Sequence, residues 1–160
     1  MSKSVVQGSC LCGTVQFQFS VTSGAFEICH CNRCRKKSGS NALPMITVKS
    51  SDLKFISGKD SIQTYQAPIL YSKPAYESHF CKKCGCQTPS PSPHDDIVEV
   101  PAGSLDSDPC IKPDKHIFVE FAPEWDTIHD QLPRFRIEDL HRLRYGSELP
   151  KSFKLKSHYD

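Results

Sequence analysis

The chain has 160 residues, enough for one domain with a real core, and a formal charge of +2, too small to argue for a nucleic-acid partner. A hydrophobic fraction of 38% is low and 12 prolines are many, the profile of a loop-rich, mostly β protein that leans on metal for part of its stability. No stretch approaches the ~18 apolar residues of a membrane span and no leader-like apolar run opens the sequence, so the expected compartment is a reducing cytoplasm, where thiols serve metals or catalysis rather than disulfides.

Residues 1–9 read as a mobile lead-in. Cys10-Leu11-Cys12-Gly13 suits a turn around a metal. Residues 14–20 alternate, with Val15, Phe17 and Phe19 on one face and Gln16 and Gln18 on the other, as a half-buried strand does. Thr22-Ser23-Gly24 marks a turn. Residues 29–37 can wind into a short helix that ends near Gly39. Short strands are expected over 42–48 and 53–56, with Ser57-Gly58-Lys59-Asp60 as a hairpin turn into a strand over 62–66. Another strand is expected over 75–80. Pro89, Pro91 and Pro93 make 87–96 a loop, and 97–100 and 116–121 are the clearest late strands. Pro123 and Pro133 frame a loop that holds Trp125. Ile137, Leu140 and Leu143 are spaced for one face of a helix between Arg136 and Tyr145, with Gly146 as its stop. Residues 147–160 are polar and expected to fray.

Nine cysteines, an odd count, fit disulfide pairing poorly. Cys10, Cys12, Cys81 and Cys84 give a C-x-C and a C-x-x-C pair about 70 residues apart, the pairwise spacing of a four-cysteine zinc site. Four thiolates leave no vacancy, so this set is expected to hold a structural zinc whose binding energy becomes folding energy. Cys29, Cys31 and Cys34, in Cys29-His30-Cys31-Asn32-Arg33-Cys34, have no obvious fourth protein ligand. His30 is expected to point away, because adjacent side chains diverge. His79, His94 and His116 are distant candidates, and a ligand from any of them would make a second structural site. If none binds, water or a substrate thiol completes the tetrahedron. An open position is what separates a catalytic zinc from a structural one, so the expectation is two Zn²⁺ per chain.

Zinc on three thiolates carries a net negative charge. It is a poor Lewis acid for a carbonyl but still binds and deprotonates a soft thiol, so the chemistry that suits it is thiolate activation. Arg33, Arg35, Lys36 and Lys37 either attract a carboxylate-bearing thiol or form a solvated helix face. Cys86 and Cys110 fall outside both sets and read as small buried hydrophobes.

These residues resemble the glutathione-dependent formaldehyde-activating enzyme family, which shares its domain with centromere protein V. The likeness lies in Gly8-Ser9-Cys10-Leu11-Cys12-Gly13, in Cys29-His30-Cys31-Asn32-Arg33-Cys34 with Ser38-Gly39-Ser40, and in Phe80-Cys81-Lys82-Lys83-Cys84-Gly85. Ala102-Gly103-Ser104-Leu105-Asp106, His116-Ile117-Phe118-Val119-Glu120 and Pro123-Glu124-Trp125 extend it. It covers about residues 7–135 of a single domain, with 136–160 as a C-terminal helix and tail that could pack on the fold, cap the site or mediate a homodimer. The resemblance implies a mainly β, Mss4-like (β-tent) zinc-binding fold. It implies a structural zinc on Cys10, Cys12, Cys81 and Cys84 and a catalytic zinc on Cys29, Cys31 and Cys34. Its reaction is a carbon–sulfur lyase equilibrium in which glutathione and formaldehyde form S-hydroxymethylglutathione. His30 and Asp106 are guesses for an acid–base.

Two other readings remain open. The same site could run a carbon–sulfur cleavage or isomerisation on another small electrophile. Alternatively the chain is a non-catalytic zinc-stapled module for protein or nucleic-acid binding, which the near-neutral charge disfavours for nucleic acid. An Mss4-like chaperone or exchange factor would share the fold alone, and fold does not fix function.

Overall fold

The computed structural model describes residues 5–21, 24–67, 75–91 and 96–153. They form a mainly β protein with a short C-terminal helix, divided into two compact units. One unit comprises the described residues up to 24 with 46–111; the other comprises 25–45 with 112–153.

In the first unit, β1 (Val5–Ser9), β2 (Gln16–Ser20) and β5 (Leu53–Ser57) form an antiparallel sheet in the order β1-β2-β5. The expected mobile lead-in is therefore a strand from Val5 onward. Its register sets Val6 opposite Phe19 and Gly8 opposite Phe17, and Val6 is buried with Phe17 and Phe19 on the inner face. The β-branched Val5-Val6 pair was the signal for it.

β6 (Ile62–Gln66) pairs with β7 (Glu77–Cys81), not with β5. The expected hairpin at Ser57-Gly58-Lys59-Asp60 is thus a switch between sheets. Gly58 adopts a left-handed φ of +69°, a 3₁₀ turn over Lys59–Ser61 follows, and a Cβ at Gly58 would stand 2.1 Å from the Thr14 carbonyl oxygen. Within the expected loop 87–96, β8 (Ser90–Pro91) pairs antiparallel with β9 (Ile97–Pro101). A proline is tolerated there because so short a strand at a sheet edge owes no second ladder bond. Residues 92–95, with Pro93 and His94, lie outside the described residues.

In the second unit the strand order is β11-β10-β3, all parallel: β3 (Phe26–Cys29), β10 (Lys115–Ile117) and β11 (Arg134–Phe135). β3 and β11 were not expected, since neither short run shows a usable period. β10 is half its expected length. Phe118 is left-handed at φ +57°, which breaks the extended run, and Val119–Phe121 coils into a 3₁₀ turn. β4 (Leu43–Lys49) runs from this unit into the first.

α1 (Asn32–Ser38) ends at Gly39 and α2 (Ile137–Tyr145) at Gly146, both left-handed caps, close to where the sequence placed them. Of the expected apolar face of α2, Leu140 is buried but Leu143 is 56% exposed. The core of this unit gathers Cys29, Cys34, Leu43, Met45, Ile117 and Leu140, with Phe118 and Phe135 against it. Residues 147–153 hold no helix or strand, and 154–160 lie outside the described residues. Among the described residues no helix is long and apolar enough to cross a membrane.

Two substitutions test the turn geometry. Gly13 is also left-handed, at φ +71°, but a Cβ there meets nothing within 4 Å. Gly13→Ala should therefore cost about 1 kcal/mol, the backbone strain alone. Gly58→Ala adds overlap with the Thr14 backbone and should cost roughly 3 kcal/mol. Thermal melting checks this: Gly58→Ala should melt clearly below Gly13→Ala, and equal melting would contradict the described switch.

Candidate metal centres

The first cluster is built by two turns. Cys10 follows β1; the Gly13 N–H donates to the Cys10 carbonyl at 2.8 Å and the Cys10 N–H to the Val15 carbonyl at 2.9 Å, closing a loop that turns Cys12 back beside Cys10. β7 ends at Cys81, and the Gly85 N–H donates to the Cys81 carbonyl at 2.8 Å, bringing Cys84 round. The Cys10 and Cys12 sulfurs are 3.5 Å apart, and those of Cys12 and Cys81 are 3.8 Å apart. All four lie within 4.8 Å of one another. A tetrahedral zinc with Zn–S bonds of about 2.3 Å spaces its sulfurs by about 3.8 Å, so the donor set fits that ion without rearrangement.

The second cluster sits in the second unit. β3 delivers Cys29, whose strand position is set by pairing opposite Ile117. Cys31 is the N-cap of α1, and its sulfur accepts the Cys34 N–H at 3.4 Å. Cys34 lies within the helix and points into the core with Leu43, Met45 and Leu140. The three sulfurs lie within 4.8 Å of one another, and Cys29 and Cys34 are buried. Among the described residues no further Cys, His, Asp or Glu atom joins this group. The donors fit a soft metal with one position left for an outside ligand.

The histidine candidates resolve differently. His30 does not join the donor group of the three thiols, and its Nε2 lies 2.8 Å from Nδ1 of His116. His116 is thereby engaged, and its own Nε2 lies 2.9 Å from Oδ2 of Asp130. His79 belongs to the first unit, 3.7 Å from Glu77, and His94 is outside the described residues. Asp106 also belongs to the first unit, where it accepts the Ser9 hydroxyl at 3.0 Å and serves β1. The His30–His116–Asp130 chain has no signature in the sequence, because its members stand 86 and 14 residues apart.

The basic run near α1 does not act as one group. Arg35 is a clamp: its Nη1 donates to the Phe121 carbonyl at 2.8 Å and to Oδ1 of Asn32 at 3.5 Å. Arg33 and Lys37 act on the thiols. Hydrogen bonds from the Cys29 and Cys34 thiols hold Cys31 well below the thiol range, helped by the Cys34 N–H and Arg33 and opposed by burial. Cys29 is pushed well up, by Cys31 first, then Cys34 and burial. Cys34 is drawn down by Cys29 and Lys37, but Cys31 and burial outweigh them and leave it high. In the first cluster the Thr14 hydroxyl and N–H lower Cys12 to about 6, while burial raises Cys10 to about 11. Cys86 packs against the first cluster without joining its donor set, and its sulfur lies 3.6 Å from the Gln87 carbonyl. Cys110 is exposed rather than buried, contrary to expectation.

These features define a class: a mainly β protein carrying one four-thiol and one three-thiol cluster, each shaped to hold a metal ion. Residues 5–121 match the family model described as glutathione-dependent formaldehyde-activating enzyme, and the chain belongs to that family. The matched span includes all seven clustered cysteines and ends before Pro123-Glu124-Trp125 and α2. A Halomonas elongata protein provisionally named a glutathione-dependent formaldehyde-activating enzyme is 29% identical over 130 residues, which is 79% of this chain and 83% of that one. The crystal structure of a Rhodobacter sphaeroides protein aligns with a TM-score of 0.48 at 20% identity, over 64% of this chain and 89% of that one.

The thiol ionisation has a measurable consequence. At neutral pH the metal-free three-thiol cluster should carry Cys31 as thiolate and Cys29 and Cys34 as thiols. Zinc then displaces about two protons on binding there. Affinity should therefore fall as pH falls, because protons compete for the two raised thiols. Calorimetry in buffers of different ionisation enthalpy counts the protons; a release near zero would contradict the assignment.

Proposed function

We propose that the chain is a zinc-dependent carbon–sulfur lyase that equilibrates glutathione and formaldehyde with S-hydroxymethylglutathione. In this reading Cys10, Cys12, Cys81 and Cys84 hold a structural zinc and Cys29, Cys31 and Cys34 a catalytic one, in a single Mss4-like domain that works in the cytoplasm. The observation that carries it is the three-thiol cluster itself, with no fourth donor among the described residues, in a chain of this family.

Zinc bound there would lower the pKa of a substrate thiol and fix its sulfur. The chain's own residues account for the rest. Cys29, Cys31 and Cys34 supply soft donors whose spacing is set by β3 and the first turn of α1. Cys29 and Cys34 are buried, which limits the access of water to their sulfurs. Arg33 and Lys37 offset the thiolate charge and favour an anionic thiol such as glutathione over a neutral one. Leu140 of α2 closes the apolar wall behind Cys29 and Cys34, so the segment beyond the family match supports the site.

The electrophile, a small carbonyl compound such as formaldehyde, would meet the sulfur at the open side. Exchange of ¹³C-formaldehyde with its glutathione adduct, followed by NMR, tests this above the uncatalysed rate. The wild type should accelerate exchange, and Cys34→Ser should lose at least ~100-fold of that, beyond what removing an outer partner of a metal ligand costs. Zinc-replete wild type without acceleration, or a fully active Cys34→Ser, would refute the reading.

A further inference from the structure

A sheet edge with unused backbone groups is a template for another strand, and proteins blunt such edges with charge, proline or a covering segment. The chain treats β1, β5, β8 and β11 in that way. Residues 105–107 cover β1: Gly8 bridges Leu105, the Asp106 N–H donates to the Gln7 carbonyl at 2.8 Å, and the Gln7 N–H donates to the Ser107 hydroxyl at 2.9 Å. β5 carries Lys54, β8 carries Pro91 and β11 carries Arg134. β6 is the exception. It belongs to a two-stranded sheet with β7, whose other side is taken: Phe80 bridges Gln87, and the Thr88 N–H donates to the His79 carbonyl at 3.1 Å. Ile62-Gln63-Thr64-Tyr65-Gln66 holds no charge and no proline, and its last four residues are all exposed. Among the described residues no strand other than β7 pairs with it.

The register shows which backbone groups of β6 face outward. The Lys82 N–H donates to the Ser61 carbonyl and the Ala67 N–H to the Tyr76 carbonyl, both at 2.8 Å, on the pairing that sets Ile62 opposite Cys81. Bonding alternates along an antiparallel pair, so Gln63 and Tyr65 bond to β7 while Ile62, Thr64 and Gln66 turn their groups outward. The Ile62 N–H is already used on the Lys59 carbonyl. That leaves the Ile62 carbonyl and the backbone groups of Thr64 and Gln66. The set is its own complement about a two-fold axis at Thr64. Thr64 exchanges both bonds with the second copy's Thr64, and each Gln66 N–H meets the other copy's Ile62 carbonyl. With no charge in the strand, two copies do not repel there. Ile62 packs against Cys10, Val15 and Cys81, which holds the strand at one end.

We propose that β6 is a homodimer interface, at which two copies of this chain pair their β6 strands antiparallel about Thr64 and join their two-stranded sheets into one of four strands. A two-stranded sheet gains most from such an addition, because three or more strands are needed for independent stability. The strand pair alone is smaller than the about 1,200 Å² at the low end of stable interfaces, so association in the micromolar range is expected. The dimer stands apart from the lyase reading, since no thiol takes part in the contact.

Sedimentation velocity of the full metal-loaded chain, from micromolar to near-millimolar concentration, tests this. The wild type should pass from monomer to dimer over that range. Thr64→Pro removes an outward N–H without touching a bond to β7, and proline is tolerated at such an edge position. It should stay monomeric at every concentration, with an unchanged circular dichroism spectrum. Thr64→Lys and Thr64→Glu, at an exposed position, each set like charges opposite one another and should dimerise ~5-fold more weakly. Mixing those two variants should restore the dimer, because opposite charges then meet across the axis. A wild type that stays monomeric throughout overturns the proposal, and slow exchange of the Thr64 amide in that monomer would assign the edge to another segment of the same chain. A dimer that Thr64→Pro and both charged variants leave unchanged also overturns it, because the interface then lies elsewhere.

Discussion

Everything in this fold answers to one constraint: seven sulfurs drawn into two groups, each spanning no more than 4.8 Å. Crowding thiols this closely makes them fight over protons. One member of a group ionises early and the others are driven up, as the split between Cys31 and its neighbours Cys29 and Cys34 illustrates. A soft cation resolves that conflict, because it lets every sulfur ionise at once and converts mutual repulsion into shared coordination. Such a site ties parts of the chain far apart in sequence, and in the first unit it joins the turn after β1 to the end of β7.

The two clusters differ in what surrounds them. The four-thiol cluster is made by the turn between β1 and β2 and the turn that follows β7, and its sulfurs complete one another. The three-thiol cluster is made by a strand end and a helix start, with Leu140 and Met45 behind it. Nothing among the described residues supplies a fourth donor there, and His30 is engaged instead with His116, which meets Asp130. A closed set suits a staple, and a set with a missing member suits a site where something comes and goes.

Much of this was legible in the sequence for definite reasons. Cysteine spacing is a local property, so both donor sets could be read without knowing the fold. The glycine stops at Gly39 and Gly146 could be read for the same reason. What escaped depends on partners distant in sequence. β3 and β11 are four and two residues long, and each pairs with β10, a partner far away in sequence. The hairpin expected at Gly58 failed because turn residues say that the chain turns, not which strand it turns toward. β10 was read too long because the apolar run through Phe118 and Val119 hides a left-handed residue. His116 had drawn notice as a possible ligand, but only the pairing of β10 beside β3 reveals that it faces His30 instead.

The central claim is that two independent metal sites coexist, one closed and one open. Zinc per chain, measured by elemental analysis on the wild type and on Cys34→Ser after zinc reconstitution, tests it most directly. The account predicts about two equivalents falling to about one with the fold retained, since a closed four-thiolate site should survive loss of the open one. One equivalent in the reconstituted wild type, unchanged in Cys34→Ser, would contradict it and leave a metal-stapled protein without the proposed reaction centre.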